Sequence, residues 1–303
     1  MTLLRNLMDL HELAGRYANE RRVPMATILK EILHYEILYA LTESDAARYL
    51  VFQGGTALRL CYQGTRYSED LDFTCGTSFD PRSMKPFADI LQREIASAYG
   101  LEVEVKEPAE ETPSHHEGVP VARWSAKIRI PNADPRVKQS QVIHIEVAGV
   151  PAHDPELVSI TANYPHLPEP LRQMIIAAES QNEILADKLV ALGARPFLKA
   201  RDLWDIKFLT DANVAPDYAL VRQKIFAYGW TADDFRIQLK AKLQQLDAAE
   251  TADHFRKEMS RFVDTRVARM LDNAVLCGKY LTKAKKLGQE LILTLENERH
   301  RPR

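Results

Sequence analysis

The chain is short of the features that mark secreted, membrane-bound or fibrous proteins. It has three cysteines in 303 residues, Cys61, Cys75 and Cys277. None stands in a CxxC spacing, and an odd count excludes a complete set of internal disulfides. The expectation is a reduced, cytoplasmic protein without a structural zinc site. Long apolar runs are missing too. Leu291 to Leu295 is flanked by polar residues, and Ile32 to Leu41 is broken by His34 and Glu36. No stretch approaches the roughly 20 residues of a membrane helix, so no membrane partner is expected. The first 22 residues set acids among helically spaced apolar residues, without the unbroken apolar core of a signal peptide. There is no internal repeat and no low-complexity tract. A large charge of one sign is absent as well, the formal net charge being −2. What is present, 46% hydrophobic and 27% charged residues, is the composition of a folded globular chain. Its length suffices for a sizeable core in one or two domains.

The near-zero net charge hides an asymmetry. Residues 254–303 carry 12 Lys/Arg against 6 Asp/Glu, a net of +6, which leaves −8 on residues 1–253. Within this tail Arg266 and Arg269, and then Lys279, Lys283 and Lys286, recur at helical spacing and form stripes. A basic tail on an acidic body is either an electrostatic footprint for nucleic acid or a solvated helical face.

Hydrophobic periodicity predicts helices over 3–20 and 25–48, the second with Ile28, Leu29, Ile32, Leu33, Ile37 and Leu41 on one face. The pattern then changes. Tyr49 to Phe52 reads as a short strand, Gly54-Gly55 as a tight turn, Thr56 to Tyr62 as a helix and Leu71 to Thr74 as a second strand. A helix over Pro86 to Tyr99, an alternating strand over Leu101 to Val105, a loop over 107–120 and strands over Val121 to Ile130 and Val142 to Val147 follow. A further short strand and a proline-rich connection are expected within 157–168. From Leu171 onward every segment reads helical: 171–178, 182–194, 199–211, 216–227, 232–248, 251–274 and 277–297. The fold class expected is α+β. Three parts are expected: N-terminal helices (1–48) packed on the core, an α/β domain (49–168) with a short mixed sheet, and a helical domain (169–303).

The chemistry is concentrated between Val51 and Phe73. Gly54-Gly55-Thr56 sits where a strand turns into a helix. Free backbone amides at such a helix start cradle phosphate, and Thr56 adds a hydroxyl. Fourteen residues beyond Thr56 comes Asp70-Leu71-Asp72. Alternate residues of a strand share a face, so both carboxylates point one way, about 7 Å apart. Two hard oxygen donors beside a phosphate cradle suit magnesium, which takes few carboxylates and completes its shell with water and phosphate oxygens. Glu146, in Val142-Ile-His-Ile-Glu-Val147, is the candidate third carboxylate, as metal ligand or as base for an incoming hydroxyl. His144 shares its face and is read as a surface or packing residue. Arg66 and Ser68 are candidate phosphate or ribose contacts, or else they fix the turn.

A second block lies in the helical half. Lys188, Leu192 and Arg195 stand at i, i+4 and i+7, and Asp202 and Asp205 at i and i+3 of the next helix. One reading is a pair of interhelical salt bridges, Lys188 with Asp205 or Arg195 with Asp202. The other is a cation held for phosphate charge.

Taken together, the Gly-Gly-Thr turn and Arg66-x-Ser-x-Asp70-Leu-Asp72-Phe73 resemble the polymerase-β-like nucleotidyltransferase superfamily. More closely they resemble the AbiEii/AbiGii group of nucleotidyltransferase toxins, which includes the MenT toxins. Glu183-Ile-Leu-Ala-Asp-Lys188 and Arg201-Asp202-Leu-Trp-Asp205 resemble that group's Lys and Arg-Asp-aromatic-Asp motifs. The resemblance covers about 50–75, 142–150 and 183–210. It implies an Mg²⁺ site (Mn²⁺ being an alternative) on Asp70, Asp72 and Glu146. It also implies NTP binding by Gly54, Gly55, Thr56, Arg66, Ser68 and Lys188, and catalytic roles for Asp70, Asp72, Glu146, Lys188 and Asp205. The implied function is a toxin of a toxin–antitoxin or abortive-infection pair that transfers NMP to an RNA acceptor, the tRNA 3′ end foremost. Its antitoxin would be of winged-helix type, in direct contact or not. Transfer to a protein hydroxyl and a non-catalytic NTP-binding regulator remain as alternatives.

Overall fold

A computed structural model describes residues 7–76, 80–108, 114–116, 119–130 and 139–299. The architecture is α+β, and the chain divides into two compact units. The first is 1–116 with 120–178, the second 117–119 with 179–303.

The first unit opens on helices α1 (Leu7–Arg21) and α2 (Met25–Thr42), then strand β1 (Val51–Gln53), helix α3 (Gly54–Cys61) and strand β2 (Leu71–Thr74). Helix α4 (Lys85–Tyr99) leads to strands β3 (Glu102–Lys106), β4 (Ser114–His116), β5 (Val119–Ile130), β6 (Gln139–Ala148) and β7 (Pro155–Ser159). The short helix α5 (Glu169–Arg172) and strand β8 (Ile175–Glu179) follow. The sheet runs in the order β3-β5-β6-β2-β1-β8-β7, with β4 paired to β5. β1 and β2 are antiparallel, whereas β2 and β6 run parallel.

Alternation along these strands gives the sheet one apolar and one polar side. Phe52, Leu71, Phe73, Trp124, Ala126, Ile128, Ile143, Ile145 and Val147 are all buried. The Phe52 and Phe73 rings lie 5.1 Å apart. The residues between them, Gln53, Asp72, Arg123, His144 and Glu146, are partly or fully exposed. α2 packs on α1, α4 and β6, and α4 packs on β3. Burying these aliphatic and aromatic side chains is the principal force holding the unit, at about 1.5–3 kcal/mol for each large side chain.

The second unit is helical: α6 (Gln181–Ala194), α7 (Ala200–Asp211), α8 (Tyr218–Ala227), α9 (Ala232–Gln245), α10 (Ala249–Met259), α11 (Thr265–Met270) and α12 (Ala274–Arg299). α6 packs on α7, α8 and α9, and α12 packs on α7 and α9. The start of α6 has the pattern of a capping box: the Ser180 hydroxyl accepts the Glu183 N–H at 3.1 Å, with an acid at the third helical position.

Four expectations are corrected. Residues 171–178 are not a helix but the short α5 followed by β8, which pairs parallel with β1 at Phe52↔Ala178. The Ile-Ile-Ala-Ala run is apolar without alternation, a pattern shared by buried strands and helices. The helix expected over 25–48 ends at Thr42, and a 3₁₀ turn spans Asp45–Tyr49. The single helix expected over 251–274 is two. Asp264 accepts the Val267 N–H at 2.8 Å and starts a new helix, α11. The loop over 107–120 contains β4. Residues 3–6 of the first expected helix lie outside the described residues.

One packing feature makes stability depend on pH. His34, on α2, is completely buried, and its Nε2 lies 3.1 Å from the carbonyl oxygen of Glu69, which a neutral Nε2–H can donate to. Burial pushes the imidazole down to about 3, against the pull of the Glu69 carbonyl and with help from Lys30. An unfolded histidine titrates near 6.5. Between these values the unfolded chain binds the extra proton, so stability falls as pH drops from about 6.5 toward 3. The slope from this group reaches about 1.4 kcal/mol per pH unit. Urea midpoints at pH 7 and pH 5 should therefore separate more for the wild type than for His34→Leu. Equal separations would mean that His34 is charged in the fold.

Candidate active site

The site in the first unit is built on the turn from β1 into α3. Gly54 has φ of +78°, a left-handed conformation that other residues adopt at a cost. A Cβ there would lie 2.8 Å from Asp72 Oδ2, so the missing side chain also makes room for the carboxylate. At Gly55 a Cβ would lie 2.1 Å from Arg66 Nη2. Two adjacent glycines thus admit a carboxylate and a guanidinium against the first turn of α3.

The loop from α3 to β2 is held in place. The Thr56 hydroxyl donates to the Asp70 carbonyl oxygen, tying the first turn of α3 to the start of β2. Arg66, only 4% exposed, donates from Nη1 to the Tyr67 carbonyl at 3.1 Å. Arg59 donates to the Gly64 carbonyl at 2.9 Å and is itself gripped by the buried Glu31 carboxylate at 3.0 and 3.2 Å. Ser68 is half-buried within the same segment.

Asp70 and Asp72 follow with the side-chain alternation expected: Leu71 and Phe73 are buried, while both acids are half-buried. Asp70 Oδ1 accepts the His144 backbone N–H at 3.4 Å. Sheet register sets the remaining neighbours. Gln53 stands opposite Asp72, Asp72 opposite Glu146, and Glu146 opposite Arg123. Four polar residues therefore form one row across β1, β2, β6 and β5. The Glu146 carboxylate lies 2.5 Å from the Arg123 guanidinium. Sequence reasoning missed Arg123, because only the β5–β6 register reveals it as Glu146's partner. His144 faces Ser125, its Nδ1 3.3 Å from the hydroxyl.

The donors present fit a hard divalent cation. Asp72 on β2 and Asp70 just before it offer carboxylate oxygens, Asp72 beside the Gly54 turn into a helix start able to take phosphate. Among the described residues no group of three or more His, Cys, Asp and Glu is placed to hold a metal. Two carboxylates completed by water and phosphate oxygens is the arrangement magnesium favours.

The second unit contains the Lys188 cluster. Lys188 Nζ lies 3.0 Å from Asp202 Oδ1 and 3.0 Å from Asp205 Oδ2, and Arg195 Nε lies 3.1 Å from Asp202 Oδ2. Both aspartates are almost completely buried. Burial alone would raise the Asp202 pKa, but Lys188 and Arg195 override it and hold it well below the carboxylate range. The sequence offered two alternative pairings; one lysine in fact bridges both acids while Arg195 shares Asp202.

A further buried group escaped the sequence reading. Lys224 of α8 is fully buried, and its Nζ lies 2.8 Å from Glu179, 2.6 Å from Glu183 and 3.1 Å from Asp187. Burial, then the charge on Asp187, pushes Glu179 well above its ordinary pKa. In the sequence Glu183 reads only as part of a motif; in the fold it is a structural anchor between α6 and α8.

Among the described residues no helix is long and apolar enough to cross a membrane. The sequence model of the AbiEii nucleotidyl transferase toxin family, of the type IV toxin–antitoxin system, matches residues 36–275. The solved structure of JHP933 from Helicobacter pylori is similar at 20% identity, covering 92% of this chain and 97% of that one, with a TM-score of 0.48. A presumed nucleotidyltransferase of the same organism is similar at 19% identity, covering 89% and 96%, with a TM-score of 0.46. No curated protein matches the chain. The family match spans most of the sequence and includes every motif residue described above, so the chain belongs to the AbiEii nucleotidyl transferase toxin family.

Proposed function

We propose that this AbiEii-family chain is an Mg²⁺-dependent enzyme that transfers a nucleoside monophosphate from an NTP to an RNA acceptor. The acceptor proposed is the tRNA 3′ end, and the consequence is a block of translation as the toxic arm of an abortive-infection pair in the cytoplasm. One observation carries the reading. Gly54 leaves just enough space for the Asp72 carboxylate beside the first turn of α3, and Asp70, the residue before β2, is tied to the same turn by its carbonyl and the Thr56 hydroxyl.

In this reading Asp70 and Asp72 hold the cation, and Mn²⁺ would use the same oxygen donors. Bound there, the ion supplies charge neutralisation and orientation of the triphosphate. The amides at Gly55 and Thr56, with the Arg66 guanidinium beside them, bind phosphate oxygens. Ser68 contacts the nucleotide from the same loop. The acceptor hydroxyl oxygen forms a bond to the α-phosphorus, the bond to the bridging oxygen breaks and pyrophosphate leaves. Glu146 accepts the hydroxyl proton once Arg123 releases the carboxylate, and Lys188, held between Asp202 and Asp205, neutralises phosphate charge. Positioning and electrostatics carry such a transfer. A type IV toxin–antitoxin family implies a cognate antitoxin. The helices α10 to α12 supply basic surface for RNA backbone.

The test is incubation of the protein with each α-labelled NTP, Mg²⁺ and total bacterial RNA, followed by gel analysis. Label in a tRNA-sized band with one NTP is the result expected. Label only in protein, or none, overturns the RNA acceptor.

A further inference from the structure

The largely apolar α2 buries three acid or histidine side chains, Glu31, His34 and Glu36. Glu36 accepts the Tyr99 hydroxyl of α4. Glu31 and His34, one helical turn apart, are directed instead at the loop 62–70. A carboxylate is costly to bury unless it is paired and hydrogen-bonded. Glu31 is both: it accepts Arg59 Nε at 3.0 and 3.2 Å and Asn163 Nδ2 at 3.2 Å. The Asn163 N–H donates to the Tyr35 hydroxyl at 3.2 Å, and that hydroxyl to the Thr161 carbonyl at 2.7 Å. The Glu31 side of the pair is therefore fixed as well.

What the pair holds is the loop. While Nε meets Glu31, Arg59 Nη1 donates to the Gly64 carbonyl at 2.9 Å, and the guanidinium lies over the Tyr67 ring, 4.6 Å from its centre. The Gly64 N–H donates to the Leu58 carbonyl at 2.8 Å, so both backbone groups of Gly64 are tied to α3. At the other end His34 Nε2 lies 3.1 Å from the Glu69 carbonyl. Arg66 lies between these anchors, and Asp70 follows the second directly. Well-packed apolar residues often match a buried ion pair in stability. They cannot grip a carbonyl and a ring together, for which the planar donor fork of arginine is suited.

We propose that Glu31 and Arg59 are positioning residues: they set the loop that carries Arg66 and Asp70, and through it the phosphate and cation contacts. Neither touches substrate. This rests on the nucleotidyl-transfer reading, which gives Arg66 and Asp70 their roles. Misplacing such groups by about 1 Å costs on the order of a hundredfold in rate.

The experiment uses two variants. Arg59→Lys keeps a cation for Glu31, but one ammonium cannot also span the Gly64 carbonyl and the Tyr67 face. Glu31→Leu combined with Arg59→Met removes both buried charges, so neither is stranded; if it does not fold, Arg59→Lys decides alone. Backbone amide exchange of the free proteins is followed by mass spectrometry, and initial transfer rates are measured across an Mg²⁺ series. Peptides covering 62–70 should exchange on the order of tenfold faster, the scale of a lost hydrogen bond to a charged group, with peptides of α4 and β6 unchanged. The kcat should fall on the order of a hundredfold. The Mg²⁺ concentration for half-maximal rate should rise on the order of tenfold, as when a group supporting a metal ligand is lost. A role in folding alone would lower the melting temperature and leave the Mg²⁺ dependence and the loop's exchange relative to α4 unchanged. Wild-type exchange over 62–70 in the variants overturns the proposal even if the wild type transfers nucleotide normally, and so does faster exchange with wild-type kcat. Faster exchange confined to the loop, in a protein whose wild type transfers nothing, supports the hold on the loop while the transfer reading fails.

Discussion

Asp70→Asn and Asp72→Asn should each lower nucleotide transfer by on the order of 10³-fold or more while leaving the fold intact. The rate effect follows from the job proposed for the pair. A carboxylate that binds a divalent cation and the charge developing at the phosphorus contributes several kcal/mol to the transition state, and about 1.4 kcal/mol is a factor of ten. The stability effect is small because both side chains are half-exposed. Asparagine also keeps an oxygen that can accept the His144 N–H now directed at Asp70. Gly54 tolerates an amide at 72 as readily as a carboxylate, since the two are nearly isosteric. The measurements are initial transfer rates with saturating Mg²⁺ and a thermal unfolding midpoint for each variant. Near-wild-type transfer at matched midpoints would remove both residues from the site.

The stretch around these acids was legible in the sequence because local rules there agree with the fold. A strand, a glycine pair, a helix and an alternating Asp-Leu-Asp-Phe each have a short-range signature, and the structure places β1, α3 and β2 within a residue or two of the expected bounds. Legibility failed where long-range pairing decides. Ile175–Glu179 has no alternation, and it becomes a strand by pairing with β1, more than a hundred residues earlier in the chain. Arg123 reads as one polar residue of an alternating strand until register sets it opposite Glu146. Lys224 lies far along the chain from Glu179 and Glu183, and nothing local marks a lysine that will be wholly buried. The break after Met259 was available: Asp264 followed by a short helical stretch is an N-cap signal.

Lys188 is where that limit matters most for interpretation. A lysine on an exposed helix face could be removed at little cost to folding, because surface ion pairs are worth about 0–1 kcal/mol. The lysine observed here is about 8% exposed and lies 3.0 Å from two aspartates that are 4% and 2% exposed. Removing one partner of a buried ion set strands the others, at a cost of roughly 3–5 kcal/mol. Lys188→Ala should therefore lose stability and transfer together, so its inactivity alone would not show a role in chemistry. A compensated variant separates the two. Lys188→Met combined with Asp202→Asn and Asp205→Asn removes the whole buried charge set, and such neutral replacements are often tolerated. Arg195, about a quarter exposed, keeps access to water when Asp202 is neutral. The triple variant should recover most of the lost stability, read by urea unfolding, while transfer stays depressed at least about a hundredfold, the scale of one lost electrostatic contact to the transition state. Recovery of transfer along with stability would make Lys188 a structural residue and leave the phosphate charge to Arg66 and the cation at Asp70 and Asp72.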